Sequence, residues 1–193
     1  KMQKSCMRII SGKYKGKKLN KLGNLKIRPT SDRLKEAVFS IIFSKKYSKS
    51  ILQKKFLDLC SGSGSIGIEA FSRGAELVYL IDLDYKAIKL SEQNVEQLNL
   101  SKNEKNKLII LQGDATKLKN LNLPVFDFVY IDPPYKDNSY YKILSSLIEN
   151  KIINKETLIL IEAEKTIEEL HICYYLVSTK KYGNSYINII KIK

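Results

Sequence analysis

The sequence predicts an α/β fold built on a parallel sheet, and three observations carry that prediction. From Phe56 onward, short apolar runs alternate with stretches of helical periodicity. The runs are apolar on both of their alternating faces, as strands covered on two sides must be. Finally, Gly62-Ser63-Gly64-Ser65-Ile66-Gly67 fits G-x-G-x-x-G at the junction of one such run and the helical pattern that follows. Together these argue for helices packed on both faces of one sheet.

The elements follow in order. Residues 7–19 read as a β-hairpin or small extension, with short apolar pieces punctuated by Gly12 and Gly16 and basic side chains outward. Arg28-Pro29-Thr30-Ser31-Asp32 turns the chain, since Pro29 fixes its own φ and Thr, Ser and Asp are good helix caps. Leu34, Ala37, Val38, Ile41 and Ile42 recur at helical spacing and make one apolar face. Lys-rich residues 44–55 read as a linker. Phe56 to Cys60 is a buried strand, and Ile66 to Arg73 a helix ended by Gly74. Leu77 to Ile81 is the next strand and Tyr85 to Leu98 the next helix, with Asp84 as its N-cap. Leu108 to Leu111, Phe126 to Ile131 and Leu158 to Ile161 are further strands, and Tyr140 to Ile148 is a helix between the last two. Residues 172–178 and 185–192 are β-rich and joined near Gly183-Asn184, as in a hairpin.

Composition narrows the classes. The 193 residues fit one domain with a small appendage. Hydrophobic residues at 44% and charged residues at 28% are an ordinary globular balance, which removes disordered and collagen-like readings. No apolar run approaches the ~18 residues of a membrane span, and the basic start lacks a signal-peptide core. A cytoplasmic protein with no membrane partner is expected. Cys6, Cys60 and Cys173 lack C-x-x-C spacing, and His171 is the sole histidine. Disulfides, a Ser-His-Asp triad and a metal site are therefore not expected.

The net charge of +14 is unevenly placed. Residues 1–31 hold ten basic residues and no acid. A solvated, Lys-rich terminus would read the same way, since Lys outnumbers Arg 30 to 4. So concentrated a basic segment on a globular protein nevertheless favours a polyanionic partner, and nucleic acid fits better than a membrane surface. Arg8, Lys13, Lys15, Lys17 and Lys18 are the candidate contacts.

The glycine loop permits NAD, FAD or S-adenosylmethionine, and its neighbours decide among them. Gly62, Gly64 and Gly67 would line the cofactor. Asp58 lies four residues before Gly62. A dinucleotide places an anionic pyrophosphate at this loop, where a carboxylate would repel it. S-adenosylmethionine brings a cationic sulfonium and an ammonium, which a carboxylate can receive directly or through water. A capping acid at a strand end remains the plain alternative for Asp58. Asp82 follows Gly62 by 20 residues, where an acid accepts from ribose hydroxyls, a feature shared by NAD. Asp114 can accept from an adenine amino group while Ala115 leaves room for the ring, although a turn acid is nearly as good a reading of Asp114.

Asp132-Pro133-Pro134-Tyr135 follows a strand, and the carboxyl ends of parallel strands form the ligand crevice. An exocyclic amine conjugated with its ring is a poor nucleophile. A carboxylate and a carbonyl oxygen accepting its two hydrogens would aim the lone pair and stabilise positive charge developing on nitrogen. Asp132 can supply the carboxylate and carbonyls near Pro133 the second acceptor. The two prolines stiffen the turn and remove competing N–H donors. Tyr135 offers a flat face to an unstacked base, worth about 1–3 kcal/mol. An ordinary strand-ending loop is the plain alternative.

The order of glycine loop and D-P-P-Y resembles class I S-adenosylmethionine-dependent amino methyltransferases. Arg8-Ile9-Ile10-Ser11-Gly12, Gly16-Lys17-Lys18-Leu19, Arg28-Pro29-Thr30-Ser31-Asp32-Arg33, Glu36 and Phe39 look like the N-terminal signature of the RsmD-type guanine-N2 methyltransferases of bacterial 16S rRNA. Leu57-Asp58-Leu59-Cys60-Ser61-Gly62-Ser63-Gly64, Gly67-Ile68-Glu69-Ala70 and Ser72-Arg73-Gly74-Ala75 continue it. The resemblance spans essentially the whole chain. It implies a Rossmann-like, seven-stranded methyltransferase sheet over residues 32–193 and a basic β-hairpin extension over 1–31. It also implies methyl transfer to the 2-amino group of one guanine in 16S rRNA, and among naked RNA, protein-bound RNA and an assembled or partly assembled small subunit it favours the last; a monomer is expected. Arg28, Thr30 and Arg33 would approach either the methionyl carboxylate or rRNA. Cys60 and Ser61 depart from the family's usual Phe and Ala.

The rivals make distinct demands. An N6-adenine methyltransferase also uses D-P-P-Y but normally carries a target-recognition domain, for which this length leaves little room. Glutamine methyltransferases carry Asn at the position of Asp132. Carbon-5 cytosine chemistry needs a Cys beside the substrate, and Cys60 reads as packing in the cofactor half. A non-catalytic RNA-binding protein with S-adenosylmethionine as a structural ligand would not need Asp132 and Tyr135. Glu36 and Glu69 read as members of structural ion pairs, and His171 as a surface residue.

Overall fold

The computed structural model describes residues 7–21, 31–47, 50–134, 139–168 and 170–193. Strands β1 (Met7–Arg8) and β2 (Lys18–Leu19) form a two-stranded antiparallel ribbon, with Met7 opposite Leu19 and Arg8 opposite Lys18. Helix α1 (Asp32–Ile42) follows. Then come β3 (Lys55–Leu59), α2 (Ser65–Ser72), β4 (Leu77–Asp82), α3 (Tyr85–Glu96), the short α4 (Lys102–Lys105) and β5 (Leu108–Gln112). The chain finishes with β6 (Phe128–Ile131), α5 (Tyr140–Glu149), β7 (Leu158–Ala163), β8 (Tyr174–Tyr182) and β9 (Ser185–Ile192).

Seven strands form one sheet in the order β5-β4-β3-β6-β7-β9-β8. The first five are parallel, and β9 runs antiparallel between β7 and β8. The chain leaves β3 toward β5 and returns to β6 on the other side of β3. That reversal opens a crevice at the carboxyl ends of β3 and β6, where open α/β sheets hold their ligands.

Helices cover both faces. On one, Val38, Phe39, Ile41 and Ile42 of α1 and Ile68 and Phe71 of α2 pack with Phe56, Val78, Leu80 and Phe128 of the sheet. On the other, Ile143, Leu144 and Leu147 of α5 pack with Leu57, Leu59, Ile81, Val129 and Ile159. Ser31 caps α1, its Oγ accepting from the Leu34 N–H at 3.2 Å. Asp84 caps α3 through the Lys86 N–H at 2.8 Å.

The basic hairpin is docked onto this core. Met7, Ile9, Tyr14 and Leu19 are buried in the same cluster as α1 and α2. Gly12 has φ +86°, and a Cβ there would lie 1.8 Å from the Ser72 carbonyl oxygen. Only glycine permits this approach, which lets the Lys13 N–H reach the same carbonyl at 2.7 Å.

The structure shifts several boundaries. Strand β6 begins at Phe128 instead of Phe126, because the Phe126 N–H donates to Ile152 O and the Asp127 carboxylate turns to Lys54 Nζ and the Lys55 N–H. The expected linker over 44–55 is partly core, with Ile51 fully buried and Lys55 already in β3. Strand β8 continues to Tyr182, since its ladder with β9 runs to the Tyr182–Ser185 pair. Helix α4 has no apolar periodicity to reveal it; a capping box between Ser101 and Glu104 forms it. Pro29 lies outside the described residues.

Candidate active site

Four acids expected to act at the crevice approach one another at the carboxyl ends of β3 to β6. Cys60 stands just after β3, at φ +59°. Burial, and then the charges of Asp82, Asp132, Asp58 and Asp114 in that order, push its thiol pKa far up. The thiol stays protonated, consistent with packing and not with a nucleophile.

Asp58 sits within β3 at 1% exposure, and its Oδ2 accepts the Gly67 N–H at 2.8 Å. Burial pushes its carboxyl pKa up to about 7 against that hydrogen bond, with Asp82 adding to the rise. A Cβ on Gly67 would lie 2.1 Å from Leu80 Cδ2 and 3.2 Å from Asp58 Oδ2. Glycine here lets the first turn of α2 rest against β4 and donate to Asp58. Gly64 is the left-handed N-cap of α2, closed by its N–H to Ser61 O at 2.8 Å. Among the described residues, no atom lies within 4 Å of where a Gly62 Cβ would be, so none of them crowds that side of the loop.

Asp82 ends β4. Its Oδ2 accepts the Gly62 N–H at 2.8 Å and its Oδ1 the Asp84 N–H at 2.9 Å. A carboxylate offers about four acceptor positions, and the described residues occupy two of them. Asp114, after β5, is a turn acid: its Oδ1 accepts from the Thr116 hydroxyl and N–H at 2.7 and 2.8 Å. These bonds, the hydroxyl's first, hold its carboxyl below the usual range. Ala115 is buried beside Leu118 and Ile81. Asp132 follows β6 half-buried, its N–H directed at Leu59 O at 3.3 Å. Pro133 is buried and Pro134 exposed, while Tyr135 lies outside the described residues.

Three further sets of residues escaped the sequence reading. Ser91 and Asn94 of α3 are fully buried. The Ser91 Oγ donates to Gly62 O at 3.0 Å, and the Asn94 Nδ2 donates to Ser63 O at 2.9 Å, so α3 grips the loop. Their signal was present, as polar residues on the buried stripe that Ala87 begins. Leu83, 66% exposed beside Asp82, offers an apolar surface to a flat ring. Glu162, buried on β7, accepts from the Tyr130 hydroxyl at 2.6 Å and from Ser185 Oγ at 2.8 Å.

The basic candidates divide into two kinds. Lys13 Nζ reaches Glu104 at 2.5 Å, and Lys17 Nζ donates to Gln97 O and Leu98 O at the end of α3. The Lys13 bond is the first cause of a Glu104 carboxyl far below its usual range. Arg8 pairs with Asp32 at 3.1 Å. Lys15, Lys18 and Arg33 are exposed and make no ion pair among the described residues; Arg28 and Thr30 lie outside them. Glu69 is the structural ion-pair member expected of it. Fully buried, it accepts from the Ile10 and Ser11 N–H groups at 2.7 and 2.9 Å and from Arg73 Nε at 2.7 Å. Glu36, by contrast, is exposed and pairs with nothing among the described residues. His171 is exposed, as expected.

Known proteins resemble this chain in sequence and fold. The family model described as "Conserved hypothetical protein 95" matches residues 7–191. The chain is 36% identical to ribosomal RNA small subunit methyltransferase D of Haemophilus influenzae, over 84% of this chain and 81% of that one. To the protein of the same name from Escherichia coli it is 30% identical, over 82% and 75%. The solved structure of yhhF from Escherichia coli superposes with a TM-score of 0.79 at 25% identity, covering 97% and 98% of the two chains. With likeness running almost end to end, and the glycine loop meeting the Asp-Pro-Pro turn at one end of the sheet, this chain belongs to the RsmD-type methyltransferase family.

Proposed function

We propose that this protein transfers a methyl group from S-adenosylmethionine to the 2-amino group of one guanine in 16S rRNA. The single observation that carries this reading is the adjacency of the two loops. Strands β3 and β6 pair directly, with Leu59 opposite Ile131, so the glycine loop and Asp132 leave neighbouring strands. Neighbouring strands lie about 4.8 Å apart, a spacing suited to bringing a cofactor and an acceptor amine together.

The residues present fit the cofactor. Buried Asp58 can receive its ammonium, Gly62 is uncrowded by the described residues and can allow close backbone approach, and Asp82 can offer its other acceptor positions to ribose hydroxyls. Leu83 and Ala115 can border the adenine. When bound, S-adenosylmethionine would supply an electrophilic methyl group on a cationic sulfonium, the carbon–sulfur bond breaking with its electrons going to sulfur and neutral S-adenosylhomocysteine leaving. Asp132 accepts one hydrogen of the guanine amine, and a carbonyl of the Asp-Pro-Pro turn accepts the other. Together they turn the nitrogen lone pair toward the methyl carbon. As nitrogen gains the methyl it gains positive charge, which the Asp132 carboxylate offsets most strongly in the transition state. The amine then gives up one proton, which the Asp132 carboxylate can accept. Tyr135 stacks on the extruded base.

The basic hairpin holds the RNA backbone, with Lys15 and Lys18 as its outward charges and Arg28, Thr30 and Arg33 following in the chain. A small appendage of this kind leaves much of the specificity to the substrate's shape. An assembled or partly assembled small subunit is therefore the substrate, with the enzyme acting as a cytoplasmic monomer. The test is transfer from labelled S-adenosylmethionine to small subunits lacking the modification, followed by nucleoside analysis. N2-methylguanosine is expected; N6-methyladenosine, or no transfer, would overturn the assignment.

A further inference from the structure

Asn94 lies on α3, fully buried, and its amide serves two separate segments at once. Its Oδ1 accepts the Asn20 N–H at 2.7 Å, and its Nδ2 donates to Asn20 O at 3.2 Å and to Ser63 O at 2.9 Å. Asn20 directly follows β2 and ends the described part of the basic ribbon within one residue. Ser63 stands between the first two loop glycines. A second contact spans the same gap, the Ser63 Oγ to Met7 Sδ at 3.8 Å. Both edges of one planar amide are thus engaged, one by the ribbon and the other by ribbon and loop together. A displacement of the Ser63 carbonyl either turns the amide, disturbing both bonds to Asn20, or leaves a buried donor unpaired at the cost of its desolvation.

We infer that Asn94 is a positioning residue that couples cofactor binding at the glycine loop to RNA binding at the basic ribbon. The inference rests on the function proposed above. A ligand that fixes the loop fixes the Ser63 carbonyl, hence the Asn94 amide, hence Asn20. Lys18, two residues before Asn20 and paired with Arg8 across the ribbon, is then held for RNA. RNA meets a ribbon already ordered and binds more tightly, so the coupling is positive. It is also reciprocal: RNA tightens the cofactor by the same factor.

The test measures S-adenosylhomocysteine affinity of the full chain with and without saturating small subunits lacking the modification, and then the reverse. Wild type should show a mutual tightening of roughly fivefold or more, the lower range of such couplings. In Asn94→Ala the factor should fall to near one while each ligand still binds alone. Asn94→Asp keeps an acceptor for the Asn20 N–H but has no donor for Ser63 O, and should also lose the factor. A purely structural Asn94 would lower thermal stability and leave the ratio at its wild-type value. Hydrogen exchange supplies a readout that needs no variant: S-adenosylhomocysteine should slow exchange across residues 7–21 of wild type. Independent binding of the two ligands to wild type, or a wild-type ratio in both variants, would overturn the coupling and leave the proposed function standing. Binding of neither ligand to wild type would reject both.

Discussion

Lowering the pH from 8 to 6 should weaken cofactor binding through one group, the buried carboxyl of Asp58. Its pKa of about 7 in the free protein makes it about nine-tenths ionised at pH 8 and about one-tenth at pH 6. If only the ionised form receives the ligand ammonium, apparent affinity scales with that fraction and falls about tenfold, or about 1.4 kcal/mol. The sign follows from linkage. The bound ammonium favours the carboxylate, so binding at pH 6 releases nearly one proton. Calorimetry with S-adenosylhomocysteine, which keeps the ammonium, in buffers of different ionisation enthalpy counts that proton. Asp58→Asn keeps an acceptor for the Gly67 N–H but cannot ionise, so its weaker binding should be flat over the same range. Stability must move consistently. The folded pKa is raised above 3.8, so the folded state holds more protons than the unfolded one between pH 4 and 7. Unfolding free energy should therefore fall as pH rises through that window, and the loss should vanish in Asp58→Asn. Equal affinities at pH 6 and 8, with no proton released, would refute the assignment of Asp58 to the ammonium.

Other substitutions probe other parts of the site. Gly67→Ala places a Cβ against Leu80 and Asp58 and should cost about 1–3 kcal/mol by overpacking, which thermal unfolding would show as a lowered Tm; an unshifted Tm would contradict the close approach. Glu69→Ala leaves two backbone N–H groups and Arg73 without their acceptor and should destabilise by about 3–5 kcal/mol, opening residues 7–21 to limited proteolysis, while Glu69→Gln should be milder. Replacing Lys15 and Lys18 by Gln should lower the salt slope of RNA binding by about 1.4–1.8 with S-adenosylhomocysteine affinity unchanged. An unchanged slope would make those lysines a solvated face.

Much of the sheet was legible because buried parallel strands are apolar throughout and their helices keep strict periodicity. The Phe126 boundary was not, since that ring is buried like a strand residue while its N–H serves Ile152. At the candidate site, the placement of Asp58, the glycines and Asp82 around one strand-to-helix turn was legible because turn geometry constrains residue type at fixed spacing. Asn94 and Ser91 were not read. Their partners are carbonyls of the loop some 30 residues away, and a polar residue on an apolar stripe reveals its partner only in three dimensions. Net charge located the basic ribbon. It could not separate Lys13 and Lys17, which fasten the ribbon to α3 and α4, from Lys15 and Lys18, which face outward.

Asp132, leaving the strand beside the glycine loop, is the group proposed to orient and stabilise the reacting amine. Single-turnover transfer from saturating S-adenosylmethionine to unmodified small subunits tests it most directly, with wild type and Asp132→Ala compared and the product nucleoside identified. The variant should bind S-adenosylhomocysteine nearly as wild type does. It should transfer methyl about 10²–10³-fold more slowly, the scale for losing one preorganised electrostatic partner, and Asp132→Asn should fall between. N2-methylguanosine formed by Asp132→Ala at the wild-type rate would contradict the account.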